Sequence, residues 1–187
     1  MERKRNGLVL SFVVAGLLLA ADIVFSRFLS FYTPGFSDRI GLQFVPNGLS
    51  GLLLGPVWGF ITCAAADVLG MMVFPSGGGG FMPLITLAAG LRGLLYGLVL
   101  YRKPLKLART IVSVAVVTVL VELLVMPLVL SILFDNAFPV LFLAKLPVRL
   151  VTIPVYGLVL HTVAKATERA GFLQALSGPK ARSADTE

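Results

Sequence analysis

Ionisable side chains sit inside otherwise apolar runs at Asp22, Arg27, Asp67, Arg92, Glu122, Lys145 and Arg149. A charge near the centre of a bilayer costs roughly 2.5–3.5 kcal/mol on insertion scales, so such residues face a cavity or each other. Lys145 and Arg149 are four residues apart and share one helix face. With Arg27 and Arg39 they place cations near outer helix ends in excess of carboxylates, a pattern suited to an anionic ligand. Snorkelling of Lys145 and Arg149 to headgroups is the competing reading. The positive-inside bias makes outer basic residues less expected and favours the ligand. Internal pairing competes elsewhere: Asp67 with Arg92 on the next helix, and Asp22 with Arg27 about one and a half turns on.

Aromatic residues form a second signal. Phe28, Phe31, Tyr32, Phe36 and Phe44 crowd one outer loop and its flanks, beside Ser30, Thr33 and Gln43. An interfacial belt prefers Trp and Tyr, whereas this group is mostly Phe. It suits stacking on a flat heterocycle as well as lipid contact.

No catalytic constellation is present. His161 is the one histidine and Cys63 the one cysteine, so neither a metal-ligand set nor an internal disulfide is offered. Gly77 to Gly80 lack the Gly-Lys-Ser/Thr ending of a nucleotide-binding loop. The chain therefore cannot power a process by its own ATP hydrolysis, and no cofactor or metal is expected on it. A membrane enzyme acting on lipids would need convergent His, Asp or Glu residues at one interface, which the sequence does not supply. A structural scaffold whose charges pair internally is a further alternative.

The elements that position these residues follow from composition. Of 187 residues, 57% are hydrophobic and 13% charged, with mean hydropathy +0.94. Soluble domains are about one quarter charged, and a membrane span takes roughly 20 apolar residues. The pattern predicts an all-α integral membrane protein, one domain over 1–187, with six transmembrane helices. The predicted helices cover Gly7–Ser30, Ile40–Leu54, Val57–Phe74, Met82–Tyr101, Thr110–Phe134 with a kink at Pro127, and Val140–Val163. Outer connections fall at Phe31–Arg39, Pro75–Gly80 and Asp135–Pro139, and Gly55-Pro56 makes a tight turn.

The net charge is +7, which raises nucleic-acid binding as a thought. The positive-inside rule explains it more simply, because basic clusters stand at Arg3–Arg5, at Arg102, Lys103, Lys106 and Arg109, and in the tail. All three agree with both termini cytoplasmic, and no nucleic-acid partner is expected. Met1 to Arg5 before an apolar run is similar to a signal peptide, but the run is long and further spans follow, so a retained first helix is expected. The tail beyond Leu176, about 177–187, is expected to be disordered. Gly16 and Ala20 sit four apart on the first helix, small enough for another helix to approach closely.

Several stretches resemble the substrate-binding S component of energy-coupling factor (ECF) vitamin transporters, within the folate-specific branch. They are Ala20–Ser30, Arg39–Pro46, Gly51–Pro56, Ala66–Gly70, Phe74–Gly77 and Gly93–Gly97, in family order over the first hundred residues. The second half matches mainly at Leu146–Leu150 and in the six-helix plan. Departures occur at Gly80–Leu87, at Val121–Pro127, and at Arg92, which stands where the family pattern has a small polar residue.

The resemblance implies a non-catalytic subunit of the prokaryotic plasma membrane that captures a vitamin from outside. It would dock on one transmembrane scaffold and two cytoplasmic ATPases, meeting the scaffold through Gly16 and Ala20, and topple to deliver its cargo. Folate has a flat pterin, a benzoyl linker and an anionic glutamate. On this reading Arg27, Arg39, Lys145 and Arg149 hold carboxylates, while Phe31 and Tyr32 stack on the rings near Gln43. Glu122 or Asp67 would accept from the pterin amine and ring N–H. Another vitamin or a modified pterin is the alternative cargo, with Arg92 and Glu122 as the residues to make that difference.

Overall fold

Lipid offers backbone groups no hydrogen-bond partners, so apolar runs must close their own bonds as helices. The computed structural model describes residues 2–32, 39–74, 82–134 and 138–170, with side chains left aside at 2–8, 31–32, 39–40, 134 and 144. Its elements in order are α1 (Glu2–Arg27), β1 (Ser30–Tyr32), β2 (Arg39–Gly41), α2 (Phe44–Leu54), α3 (Pro56–Val73) and α4 (Pro83–Leu100). Next come α5 (Leu107–Val117), a π-helical segment (Thr118–Val125), α6 (Met126–Phe134) and α7 (Phe138–Arg169). Counting α5, the π segment and α6 as one column gives six helical columns among the described residues. Five are long and apolar enough to cross a bilayer, and the chain is a multi-pass membrane protein.

The exception is α2. Its 11 residues span about 16 Å, half the ~30 Å hydrocarbon core. The sequence predicted a helix from Ile40; the structure starts it at Phe44. Residues 39–41 run extended instead, because β2 pairs antiparallel with β1 through Ser30↔Gly41, Phe31↔Ile40 and Tyr32↔Arg39. A turn, with Val45 N–H donating to the Leu42 carbonyl, then leads into α2. Its other end is fixed at Gly55, whose positive φ of 91° suits glycine and which packs on the Tyr101 ring. Tyr101 follows the inner end of α4, so α2 fills the inner half of its column and the hairpin stands above it.

Close backbone contact locks α2, α3 and α4 together. A Cβ on Gly51 would lie 2.5 Å from Gly97 N, one on Gly59 2.8 Å from the Gly93 oxygen, and one on Gly93 would run into the Gly59 carbonyl. Small residues let membrane helices approach in this way. On the far side Ala88, Leu100, Val114, Leu160 and Ala164 are almost wholly buried and join α4, α5 and α7. At the basic inner connection Lys103 Nζ donates to the Leu98 carbonyl at 2.9 Å and Arg109 to the Pro104 carbonyl at 3.1 Å. These bonds cover carbonyls that a helix end and a proline turn leave open.

The kink expected at Pro127 takes another form. Proline lacks an N–H and crowds the carbonyl four residues back; here the preceding two turns widen into the π segment. In α7, Pro147 and Pro154 are carried inside one continuous 32-residue helix, which runs past the expected end at Val163. The expected outer stretches at 33–38, 75–81 and 135–137, and the tail beyond 170, lie outside the described residues.

The glycine contact yields a direct expectation. Gly93→Ala forces backbone apart and should lower stability by about 1–3 kcal/mol or more, read as a fall in melting temperature in detergent. Gly16→Ala, where a Cβ meets nothing within 4 Å, should leave it unchanged. Equal behaviour of the two variants would contradict the packing.

Candidate ligand-binding site

The half-length of α2 leaves space above its first turn, and a cavity occupies it. Gly41, Gln43, Phe44 and Asn47 line it from the hairpin and α2, Arg92 and Tyr96 from α4. Val117, Thr118 and Glu122 enter from the α5 column, and Arg149 and Tyr156 from α7. With its open mouth included the cavity measures about 390 Å³.

The π segment adds Val117 to the wall that Thr118 and Glu122, four residues apart, already share. In an α-helix, residues five apart diverge by about 140°, which would turn Glu122 away from Val117. One π turn closes over five residues and brings Val117, Thr118 and Glu122 to the same wall.

Glu122 joins two arginines. Arg92 Nε lies 2.9 Å from Glu122 Oε1 as an ion pair without hydrogen-bond alignment. Arg149 Nη2 donates to Oε2 at 3.1 Å. The side chains are 11%, 13% and 6% exposed for Arg92, Glu122 and Arg149, so the pairs lie in a weakly screened interior. Lys145, one turn before Arg149 on α7, is also buried. Burial at this level disposes of snorkelling for Lys145 and Arg149: both heads turn into the protein.

The other wall is aromatic. Phe44 and Tyr156 stack with ring centres 3.9 Å apart and planes within 12°. Behind Asn47 a small polar cluster fixes the first turns of α2 to α3: Cys63 Sγ donates to Asn47 Oδ1 at 3.2 Å and contacts Ser50 Oγ at 3.3 Å.

The residues proposed from sequence divide into groups. Gln43, Arg92, Glu122 and Arg149 line the cavity, and Lys145 is buried on the same helix as Arg149. Asp67 stands apart from the cavity lining; it accepts from Thr86 Oγ1 at 2.9 Å, so the pairing with Arg92 weighed above is replaced by Asp67–Thr86 and Arg92–Glu122. Arg27 also lies outside the cavity lining, with its guanidinium against Gly70 of α3, 3.3 Å from where a Cβ would be. The side chains of Phe31, Tyr32 and Arg39 lie outside the described residues, while their backbones form the hairpin stem. Phe28 and Phe74 meet edge to face at 5.4 Å, exposed on the outer side, which is a packing role rather than a cavity one.

Sequence reasoning passed over Asn47, Tyr96, Thr118 and Tyr156. Asn47 and Tyr156 each adjoin a proline or glycine in an apolar run, Pro46-Asn47-Gly48 and Pro154-Val155-Tyr156-Gly157. A lone polar residue at a helix irregularity was the available signal.

A bundle of six helical columns around a cation- and aromatic-walled cavity open to one side defines a membrane solute-binding protein. The family model for the ECF-type riboflavin transporter S component matches residues 8–169. A folate transporter, FolT, of Clostridium novyi (strain NT) is 36% identical over 157 residues, 84% of this chain and 89% of that protein. FolT of Streptococcus mutans serotype c (strain ATCC 700610 / UA159) is 27% identical over 147 residues, 75% of this chain and 78% of that one. Among solved structures, FolT bound with folic acid superposes with a TM-score of 0.76 at 32% identity, covering 83% of this chain and 93% of that chain. The chain belongs to the S components of ECF-type transporters, and is a non-catalytic transport subunit with their fold.

The triad should carry stability as well as shape. Glu122→Gln keeps the volume and leaves two buried guanidiniums without their carboxylate, a change that costs roughly 3–5 kcal/mol in buried pairs. A marked fall in melting temperature in detergent is expected; an unchanged value would show that Arg92 and Arg149 do not depend on Glu122.

Proposed function

We propose that the chain is the folate-binding subunit of an ECF importer in a prokaryotic plasma membrane. It captures a folate from outside with high affinity and delivers it inward after docking on a scaffold subunit and two ATPases. The observation that carries this reading is the cavity itself: a flat aromatic stack on one side, arginines on the other, and amide side chains at Gln43 and Asn47. These suit a molecule with a flat, hydrogen-bonding ring and an anionic end. The relatives named for folate, and the neighbour that holds folic acid, support the same cargo.

Roles follow from the geometry. Glu122 spends its two oxygens on Arg92 and Arg149, so it holds cations in place rather than meeting the pterin amine. Arg149 faces the ligand together with Gln43, and Lys145 adds positive charge behind it. Arg27, Arg39, Phe31 and Tyr32 belong to the outer side, where the glutamate end and the mouth of the cavity lie. Asp67 acts through Thr86 in joining α3 to α4. No cofactor is assigned to this chain; ATP is used by the partner ATPases.

Docking is assigned to α1. Val9, Phe12, Val13, Leu17 and Val24 are exposed along one stripe with Gly16 and Ala20 between them, and Gly16 has open space around its Cα. A helix of the scaffold would approach closely there. A second cargo, riboflavin, is favoured by the description of the matching family model, and it too is a flat heterocycle.

Equilibrium binding of radiolabelled folic acid to the purified chain, with riboflavin as competitor, tests the cargo. Saturable binding of folic acid that riboflavin displaces poorly is expected; the reverse order would assign the chain to riboflavin. Arg149→Ala should weaken folic acid binding at least about tenfold, the scale of one charged hydrogen bond of ~1.5–3 kcal/mol, and unchanged affinity would remove Arg149 from the site. Gly16→Leu with Ala20→Leu should abolish co-purification with the scaffold and leave folic acid binding intact; retained co-purification would move the docking face elsewhere.

A further inference from the structure

We propose that Arg92 reads the acceptor edge of the ligand's fused ring, a ring carbonyl beside a ring nitrogen, and thereby sets which way the ring lies in the cavity. The inference rests on the folate-type reading of the site.

A guanidinium carries five N–H donors. Glu122 meets that of Arg92 at Nε, and among the described residues it is the only side chain paired with Arg92. Arg92 is nonetheless buried, 9% exposed, and lines the cavity. Arg92 Nε is buried without an aligned hydrogen bond, and Nη1 and Nη2 make no hydrogen bond among the described residues. The guanidinium therefore brings to the cavity wall donors that a ligand acceptor can meet.

Depth decides which acceptor. Arg92 is nine residues into α4 from Pro83, about 14 Å below its outer end. Phe44, Tyr96 and Tyr156 line the same cavity and give a flat ring its contact surface. The flexible anionic tail is the part that can remain toward the mouth.

The recognition geometry is familiar from nucleic acids, where arginine binds O6 and N7 of guanine in a bidentate pair. The 4-oxo group and N5 of a pterin present the same two acceptors side by side. A pterin seated on Arg92 would turn its amino edge away, toward the Asn47 and Thr118 side of the cavity.

The test compares folic acid with its 4-amino analogue, in which the acceptor oxygen becomes a donor. Wild type, Arg92→Gln and Arg92→Lys are titrated with both ligands in detergent, with melting temperature as the check on folding. Wild type should prefer folic acid by roughly tenfold or more, the scale of a bidentate arginine contact. Arg92→Gln should bring that preference to within about threefold, and Arg92→Lys, which keeps the charge and loses the fork, should lie between. If Arg92→Gln does not fold, the 5-deaza analogue with wild type takes its place and should bind several-fold more weakly than folic acid. Folic acid binding with the same preference in wild type and both variants overturns this proposal alone, as does a wild type that takes all three ligands equally. A wild type that binds no folic acid overturns the cargo reading and this inference with it.

Discussion

One carboxylate shared by two buried arginines is the interaction on which the rest of the structure depends. Arg92, Glu122 and Arg149 come from α4, the π segment and α7. Each would be costly alone in a membrane interior, so the three columns must stay at the distance that keeps the pairs closed. Buried ion pairs are weak sources of net stability, but breaking one by removing a partner is expensive. The triad is therefore better understood as fixing geometry than as supplying free energy. It holds a cationic wall open at a level where apolar side chains would otherwise collapse inward.

Close packing of α2 and α3 on the glycines of α4 makes room beside that wall. Glycine contacts at Gly51, Gly59, Gly93 and Gly97 pull α2, α3 and α4 together toward the inner side. The hairpin takes chain that would otherwise extend α2 outward. Tight packing below and a shortened column above leave a cavity above the first turn of α2. Burial is concentrated on these inward faces, while the outward faces of α1 and α7 remain apolar and exposed, as lipid requires.

Hydropathy made the helices legible, and the basic clusters gave their direction, because insertion energetics act locally on sequence. Of the charges at membrane depth, Arg92, Glu122 and Arg149 line the cavity, whereas Asp67 and Arg27 lie outside its lining. Their partners were not legible. Glu122 is 30 residues from Arg92 and 27 from Arg149 in sequence, and only the crossing of α4, the π segment and α7 shows that it joins them rather than leaving Arg92 to Asp67. The start of α2 was misplaced by four residues because Arg39–Gly41 satisfy their backbone in a hairpin, a pairing that depends on the opposite strand. The π segment left no periodic trace, since apolar residues fill nearly every position from Val119 to Val125. Tyr156 could be found only by folding α7 against the first turn of α2, where it stacks on Phe44.

The central claim is that this cavity holds a folate between its aromatic and arginine walls. Native mass spectrometry of the chain purified alone from folate-replete membranes tests it most directly. The account predicts one bound species with the mass of a folate, released as a single equivalent on unfolding. A bound flavin instead, or a chain that stays empty when excess folic acid is added back, would contradict it.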